Sequence, residues 1–146
     1  MSTTLPAARE AFITAMNRDT GGSDRPRYMA VLDALIDWSL ARPEQLAFRS
    51  DESARGVLSF LRVGSNVVFW SVRPMRSDCP QIELLPRATS ILTDEHRGEA
   101  REALNALSRE VLEGDDKLRI GFSAMKNPAS RDAIFKLMND LLEKVH

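Results

Sequence analysis

Apolar positions along the chain change period several times, and each change predicts an element. Phe12, Ile13 and Met16 recur at helical spacing and predict a short helix over 6–17, with Pro6 suited to its first turn. The stretch DTGGSD (19–24) breaks that pattern with two glycines, attaches the first helix loosely, and offers Ser23 or Asp24 as a cap for the next. A stronger helix follows over 26–41, with Met29, Leu32, Leu35, Ile36 and Leu40 along one side, and Pro43 stops it. Trp38 and Tyr28 on this helix read as packing residues rather than ligand contacts.

The period then shortens. QLAFR (45–49) is a short candidate strand, and GVLSFLRV (56–63) and VVFWSVR (67–73) flank Gly64-Ser65-Asn66, which makes a hairpin. QIELLP (81–86) is a further strand closed by Pro86. Thr93 caps a helix to about Leu112, with Asp94 and Glu95 at its positive end and Ala100, Leu104, Leu107 and Val111 on its apolar side. LRIGFS (118–123) alternates Leu118, Ile120 and Phe122 with Arg119, Gly121 and Ser123, which predicts a strand with one wet face. Asn127 caps a last helix with Pro128 at its first position, and Ile134, Leu137, Met138, Leu141, Leu142 and Val145 form its buried stripe.

These elements predict an α+β domain: an antiparallel sheet of four or five strands packed by about four helices. No repeat or long linker divides residues 1–146, so a single domain is expected, large enough to bury roughly 70% of its unfolded surface. The lone cysteine, Cys79, forbids an intrachain disulfide and fits a reducing compartment. MSTTLPAARE has no basic segment followed by an apolar one, and no run approaches the ~20 apolar residues of a membrane helix. A cytoplasmic protein without membrane association is therefore expected.

The formal net charge of −1 gives no bulk pull toward nucleic acid, but its distribution is uneven. Residues 1–54 carry six basic and eight acidic groups, and residues 88–146 carry nine and eleven, so each block is net −2. Residues 55–87 carry five arginines against Asp78 and Glu83, net +3. Register decides what that positive block does. A two-residue turn at Ser65-Asn66 sets Val63 opposite Val68 and places Val57, Leu61, Val63, Val68, Trp70 and Val72 on one face, with Ser59 as its polar member. The opposite face then holds Leu58, Phe60, Arg62, Phe69, Ser71 and Arg73. A slip of one residue exchanges the faces, and this register separates apolar from polar best.

Arginines interleaved with aromatic rings on an open sheet suit single-stranded nucleic acid, through stacking and backbone neutralisation. Helices covering the same face would instead make Phe60 and Phe69 core residues, with the arginines at its edge. The candidate ligand contacts are Arg62 and Arg73 as anion partners, Phe60 and Phe69 as stacking platforms, and Arg76 and Arg87 in the flanking loops. Lys126 joins them in GFSAMKNPAS (121–130), where a strand leads into a helix N-terminus. Cys79, His96 and His146 lack metal-ligand spacing, so no metal site is expected. Asp78 beside Cys79 raises a thiol pKa, the wrong direction for a nucleophile. Asp78 with Glu83 is an incomplete nuclease-type pair, because Leu85 stands where such a site has lysine. No glycine-rich phosphate loop, GxSxG or HExxH is present.

Trp38, VVFWSVRP, QIELLP, Arg97 with Leu104-Asn105, and LRIGFSAMKNP stand in the order of an uncharacterised bacterial α+β domain family. That family has a helix ending near Trp, an "fxIW…vEIxf" centre, an "IPLSaL"-like strand and a terminal helix. The chain resembles it over residues 28 to 145, and no established activity comes with the resemblance. The layout is also similar to MmcQ/YjbR-like domains, which implies an association with nucleic acid. The preferred reading is a non-catalytic binding module, with no cofactor, whose partner is nucleic acid or another protein. The alternatives are a small metal-dependent hydrolase or nuclease using Asp78 and Glu83, and a protein-interaction or homo-oligomerisation domain.

Overall fold

A computed structural model describes residues 4–19, 25–49, 58–73, 81–85, 93–107, 118–125 and 127–144. Two helices open the chain, α1 (Leu5–Asp19) and α2 (Arg25–Leu40). Strands β1 (Leu46–Phe48), β2 (Leu58–Arg62), β3 (Val68–Arg73) and β4 (Gln81–Leu84) follow, then α3 (Asp94–Leu107), β5 (Leu118–Gly121), the one-turn α4 (Phe122–Met125) and α5 (Pro128–Lys144). Local chemistry sets the helix starts. Thr4 Oγ1 accepts the Ala7 N–H, Thr93 Oγ1 accepts the His96 N–H at 3.1 Å, and Asn127 Oδ1 accepts the Ala129 N–H at 2.9 Å. The expected α2 caps Ser23 and Asp24 lie outside the described residues.

The strands form one antiparallel meander in the order β1-β2-β3-β4-β5. This is the α+β architecture that the periodicity predicts. Strand β5 ends two residues earlier than its alternation implies, because Phe122 begins α4 and turns inward there against Phe12 and Tyr28. Helix α1 is tied in rather than loosely attached. Its Phe12 is fully buried, and the Arg9 guanidinium donates to both carboxylate oxygens of Asp33 on α2, at 2.7 and 3.0 Å. That hydrogen bonding raises the Arg9 pKa above its ordinary value.

The hairpin register differs from the sequence expectation. The Ser65 N–H donates to the Arg62 carbonyl, and Gly64 takes φ +80° at the position where a type II turn requires it. The turn is thus centred on Val63-Gly64, and the Arg62 N–H closes the loop on the Val67 carbonyl. Leu61 pairs with Val68, yet Phe60 pairs with Trp70, Ser59 with Ser71 and Leu58 with Val72. Phe69 is the extra residue of a β-bulge, which re-aims side chains beyond it. Phe69 and Trp70, adjacent in sequence, both reach α2: Phe69 stacks near-parallel to Trp38, and the Trp70 indole N–H donates to Ser39 Oγ at 2.7 Å.

One connected core joins the helices to a single face of the sheet, through Leu46, Leu58, Phe60, Phe69, Trp70, Val72, Ile82, Leu84, Leu118 and Ile120. Val68, although buried, lies outside that core, as does Leu61. The face expected to be apolar apart from Ser59 is therefore split. Trp70 and Val72 point to the helices, whereas Ser59, Leu61, Val68 and Ser71 have the opposite parity. Helix stripes follow expectation at Leu32, Leu35, Ile36, Ala100, Leu104, Ile134, Met138, Leu141 and Leu142. Leu40 does not: it is 54% exposed. Each four-residue step 32–36–40 rotates about 40° around the helix, so the last of them leaves the buried side and Ser39 takes the inward place. Tyr28 is buried and Trp38 packs against the core, as expected of packing residues.

Candidate sheet-face binding site

The sheet face opposite the core is built by strand parity. Ser59 pairs with Ser71, Ser71 with Glu83, and Glu83 with Arg119. On the other side, the β1–β2 register continues past Phe48–Phe60 to Arg49, whose N–H donates to the Ser59 carbonyl at 3.0 Å. Five positions thus form one register row across the whole sheet: Arg49, Ser59, Ser71, Glu83 and Arg119.

The row is polar throughout and mutually engaged. The Ser59 hydroxyl donates to Ser71 Oγ at 3.0 Å. Arg119 Nε lies 3.9 Å from Glu83 Oε1, with the two side chains 28% and 22% exposed. At that distance and exposure the ion pair contributes at most about 1 kcal/mol, and its chief effect is to orient Arg119. Arg49 is exposed at the β1 end. Beside the row on one side lie Ala47, Leu61 and Val68, and on the other the positions of Arg73, Gln81 and Gly121. The row carries two guanidinium groups against one carboxylate, a local +1 in a chain of formal charge −1.

The expected arginine–phenylalanine face does not form. Phe60 is buried between Phe48 and Trp70, at centroid distances of 6.0 and 5.1 Å, and Phe69 is fully buried against Trp38. Neither ring is available for base stacking, because the bulge and the shifted turn direct both into the helix layer. Arg62 shares the parity of Phe60, pairs with buried Leu46, and sits half-buried at the margin of the core. Arg73 pairs with Gln81 and has the strand parity of Ser71. Level with the position before Leu58, it lies five strand steps from Arg62, ~17 Å, so the two do not converge on one anion. Arg76, Arg87 and Lys126 lie outside the described residues, and so do Asp78 and Cys79.

Glu83, the other half of the nuclease-type pair, faces Arg119. Among the described residues no group of three or more His, Cys, Asp or Glu side chains is placed to hold a metal ion. At the start of α5, Asn127 caps the helix and Arg131 Nε donates to the Met125 carbonyl at 2.9 Å, so this turn is fastened by its own side chains. Among the described residues no helix is long and apolar enough to cross a membrane.

Sequence reasoning missed Arg49, Ser59 and Ser71 as site residues. Arg49 ended a strand prediction, and the two serines were divided between faces by the assumed register. The available signal was Arg119, already placed on a wet face by the alternation of LRIGFS. No family model, curated protein or solved structure matches the chain.

Proposed function

We propose that the chain is a non-catalytic binding module that takes a polyanion, in particular a nucleic-acid backbone, on the outer face of its sheet. The observation that carries this reading is the row Arg49–Ser59–Ser71–Glu83–Arg119, which joins two arginines and two hydroxyls in one line across the strands. Guanidinium groups match phosphate geometry through paired N–H donors, and the half-buried Ser71 hydroxyl adds a single hydrogen bond, while Ser59, only 8% exposed, donates to Ser71 and orients it. With Phe60 and Phe69 in the core, binding works through phosphate and sugar rather than through stacked bases. Such contacts position a ligand without reading its sequence.

The test is fluorescence anisotropy of labelled single-stranded DNA, single-stranded RNA and duplex probes, titrated at low and moderate salt. The expected result is sequence-independent binding that weakens as salt rises and disappears in the Arg49→Ala/Arg119→Ala double variant, with a melting temperature within a few degrees of the parent. No binding of any probe at low salt overturns the reading and directs the search to a protein partner.

A further inference from the structure

We infer that the outer face holds a single phosphate group of its ligand, over Gln81 on β4, between the positions of Arg73 on β3 and Arg119 on β5. This rests on the polyanion reading above and narrows it to the β3–β5 side of the sheet. Exposure selects that side. Ser59 and Val68 are only 8% and 5% exposed, whereas Ser71, Gln81, Glu83 and Arg119 are each partly exposed.

Register then arranges the donors around Gln81. Arg73 pairs with Gln81, so the two positions are direct cross-strand neighbours, about 5 Å apart between Cβ atoms. Ser71 and Arg119 both pair with Glu83, which makes each of them a diagonal neighbour of Gln81 at about 7–8 Å. Gly121, the β5 partner of Gln81, is buried and has no side chain to offer, so the contact from β5 comes from Arg119.

The chemistry of this group suits one anion. The Gln81 amide and the guanidinium groups supply N–H donors. Ser71 Oγ accepts from the Ser59 hydroxyl at 3.0 Å, which leaves the Ser71 proton to be given to another acceptor. Arg119 Nε lies 3.9 Å from Glu83 Oε1, too far for a hydrogen bond, so Glu83 orients Arg119 without occupying its donors. Glu83 also repels an anion placed over the row itself. Gln81 is the next outer position of β4 and carries no charge, and two arginines against one carboxylate leave a surplus of one positive charge beside it.

The experiment titrates the full chain with labelled thymidylate oligomers of two, four, eight and twelve residues, each over a salt series. One phosphate contact on a single strand gives a slope of log affinity against log salt of about −0.7, and the slope is expected to stay near that value at every length. Arg73→Ala and Arg119→Ala should each weaken binding of the eight-residue probe by about tenfold or more, the effect of one lost hydrogen bond to a charged group. Because both arginines meet the same phosphate, the double variant should lose less than the product of the single losses. Gln81→Glu sets a carboxylate at the centre of the group and should abolish binding, with a melting temperature within a few degrees of the parent. Unchanged binding in Arg73→Ala overturns the single-phosphate site and leaves the polyanion reading standing. So do losses that multiply independently, or a slope that steepens steadily from two to twelve residues. Failure of every length to bind overturns both.

Discussion

Where β4 leaves the sheet, the backbone is held in a conformation its own residue disfavours. Leu85 has φ +44° and precedes Pro86, although a residue before proline is normally kept extended, and a left-handed leucine is costly by about 1–3 kcal/mol. Three contacts oppose that strain. The Leu85 side chain is fully buried, its N–H donates to the Phe69 carbonyl at 2.8 Å, and its carbonyl accepts from Arg97 Nη2 at 2.8 Å. Arg97 is only 6% exposed, so its bond to Leu85 is made away from water. Replacing Arg97 with Met keeps most of the volume and leaves a buried carbonyl without that donor. A hydrogen bond to a charged group contributes roughly 1.5–3 kcal/mol, so a loss of about 2–3 kcal/mol is expected. For a domain near 150 residues this lowers the melting temperature by roughly 4–12 °C. Urea unfolding of the parent, Arg97→Met, Leu85→Gly and the double variant measures the effect directly. Glycine removes the φ penalty as well as the side chain, so losing the clamp should cost about 1 kcal/mol less in the Leu85→Gly background. A change below about 0.5 kcal/mol for Arg97→Met would refute the clamp, and single effects that add within about 0.3 kcal/mol would refute its link to strain.

Ser39→Ala leaves the buried Trp70 indole N–H without its acceptor and should destabilise by about 1–3 kcal/mol, with an altered tryptophan emission on unfolding curves. Gly64→Ala meets no atom within 4 Å, yet it should cost about 1–2 kcal/mol in denaturant titration, because only backbone strain at φ +80° opposes it. Thr93→Ala and Asn127→Ala should each lose about 1 kcal/mol of stability and be independent of one another, as distant caps of different helices. Glu83→Gln should leave thermal stability within about 1 kcal/mol and tighten polyanion binding by removing the one carboxylate of the row. Metal-dependent turnover abolished by that same substitution would instead favour the hydrolase alternative.

The helices were legible because their signals are local. The 3.6-residue spacing of Phe12–Ile13, Leu32–Leu35–Ile36 and Ile134–Met138–Leu141 needs no knowledge of the rest of the chain, and neither do the caps at Thr93 and Asn127. The strands were legible for the same reason, down to one or two residues at their ends. Their register was not. Val63-Gly64-Ser65-Asn66 supports a turn centred on either half, and moving the centre alters every cross-strand pair. The bulge was less visible still. Phe69 and Trp70 are consecutive, and strict alternation forces one of them out of the core, whereas an extra residue in β3 admits both. The site inherited that error: Phe60 and Phe69 moved to the core, while Ser59 and Ser71 joined one face.

Charge read along the chain does not map simply onto the sheet: Arg73 of the positive block has the outer parity of Ser71, but other residues of that block do not join it. The block 55–87 is the only net positive stretch, but its Arg62 stands on the helix-side parity at the core margin, and its Glu83 supplies the one carboxylate of the outer row. The cations at the ends of the row, Arg49 and Arg119, come from the two blocks that are net negative in sequence. An antiparallel meander makes this possible, because each strand places one residue of every row beside partners many positions away. The helix-side face of the sheet is filled by Phe60, Phe69, Trp70 and their neighbours, while on the outer face Ser59 and Val68 are buried too and Ser71, Glu83 and Arg119 are partly exposed. The pairing register therefore decides which residues share the row, and a one-residue slip in the hairpin would disperse it while keeping every residue that forms it.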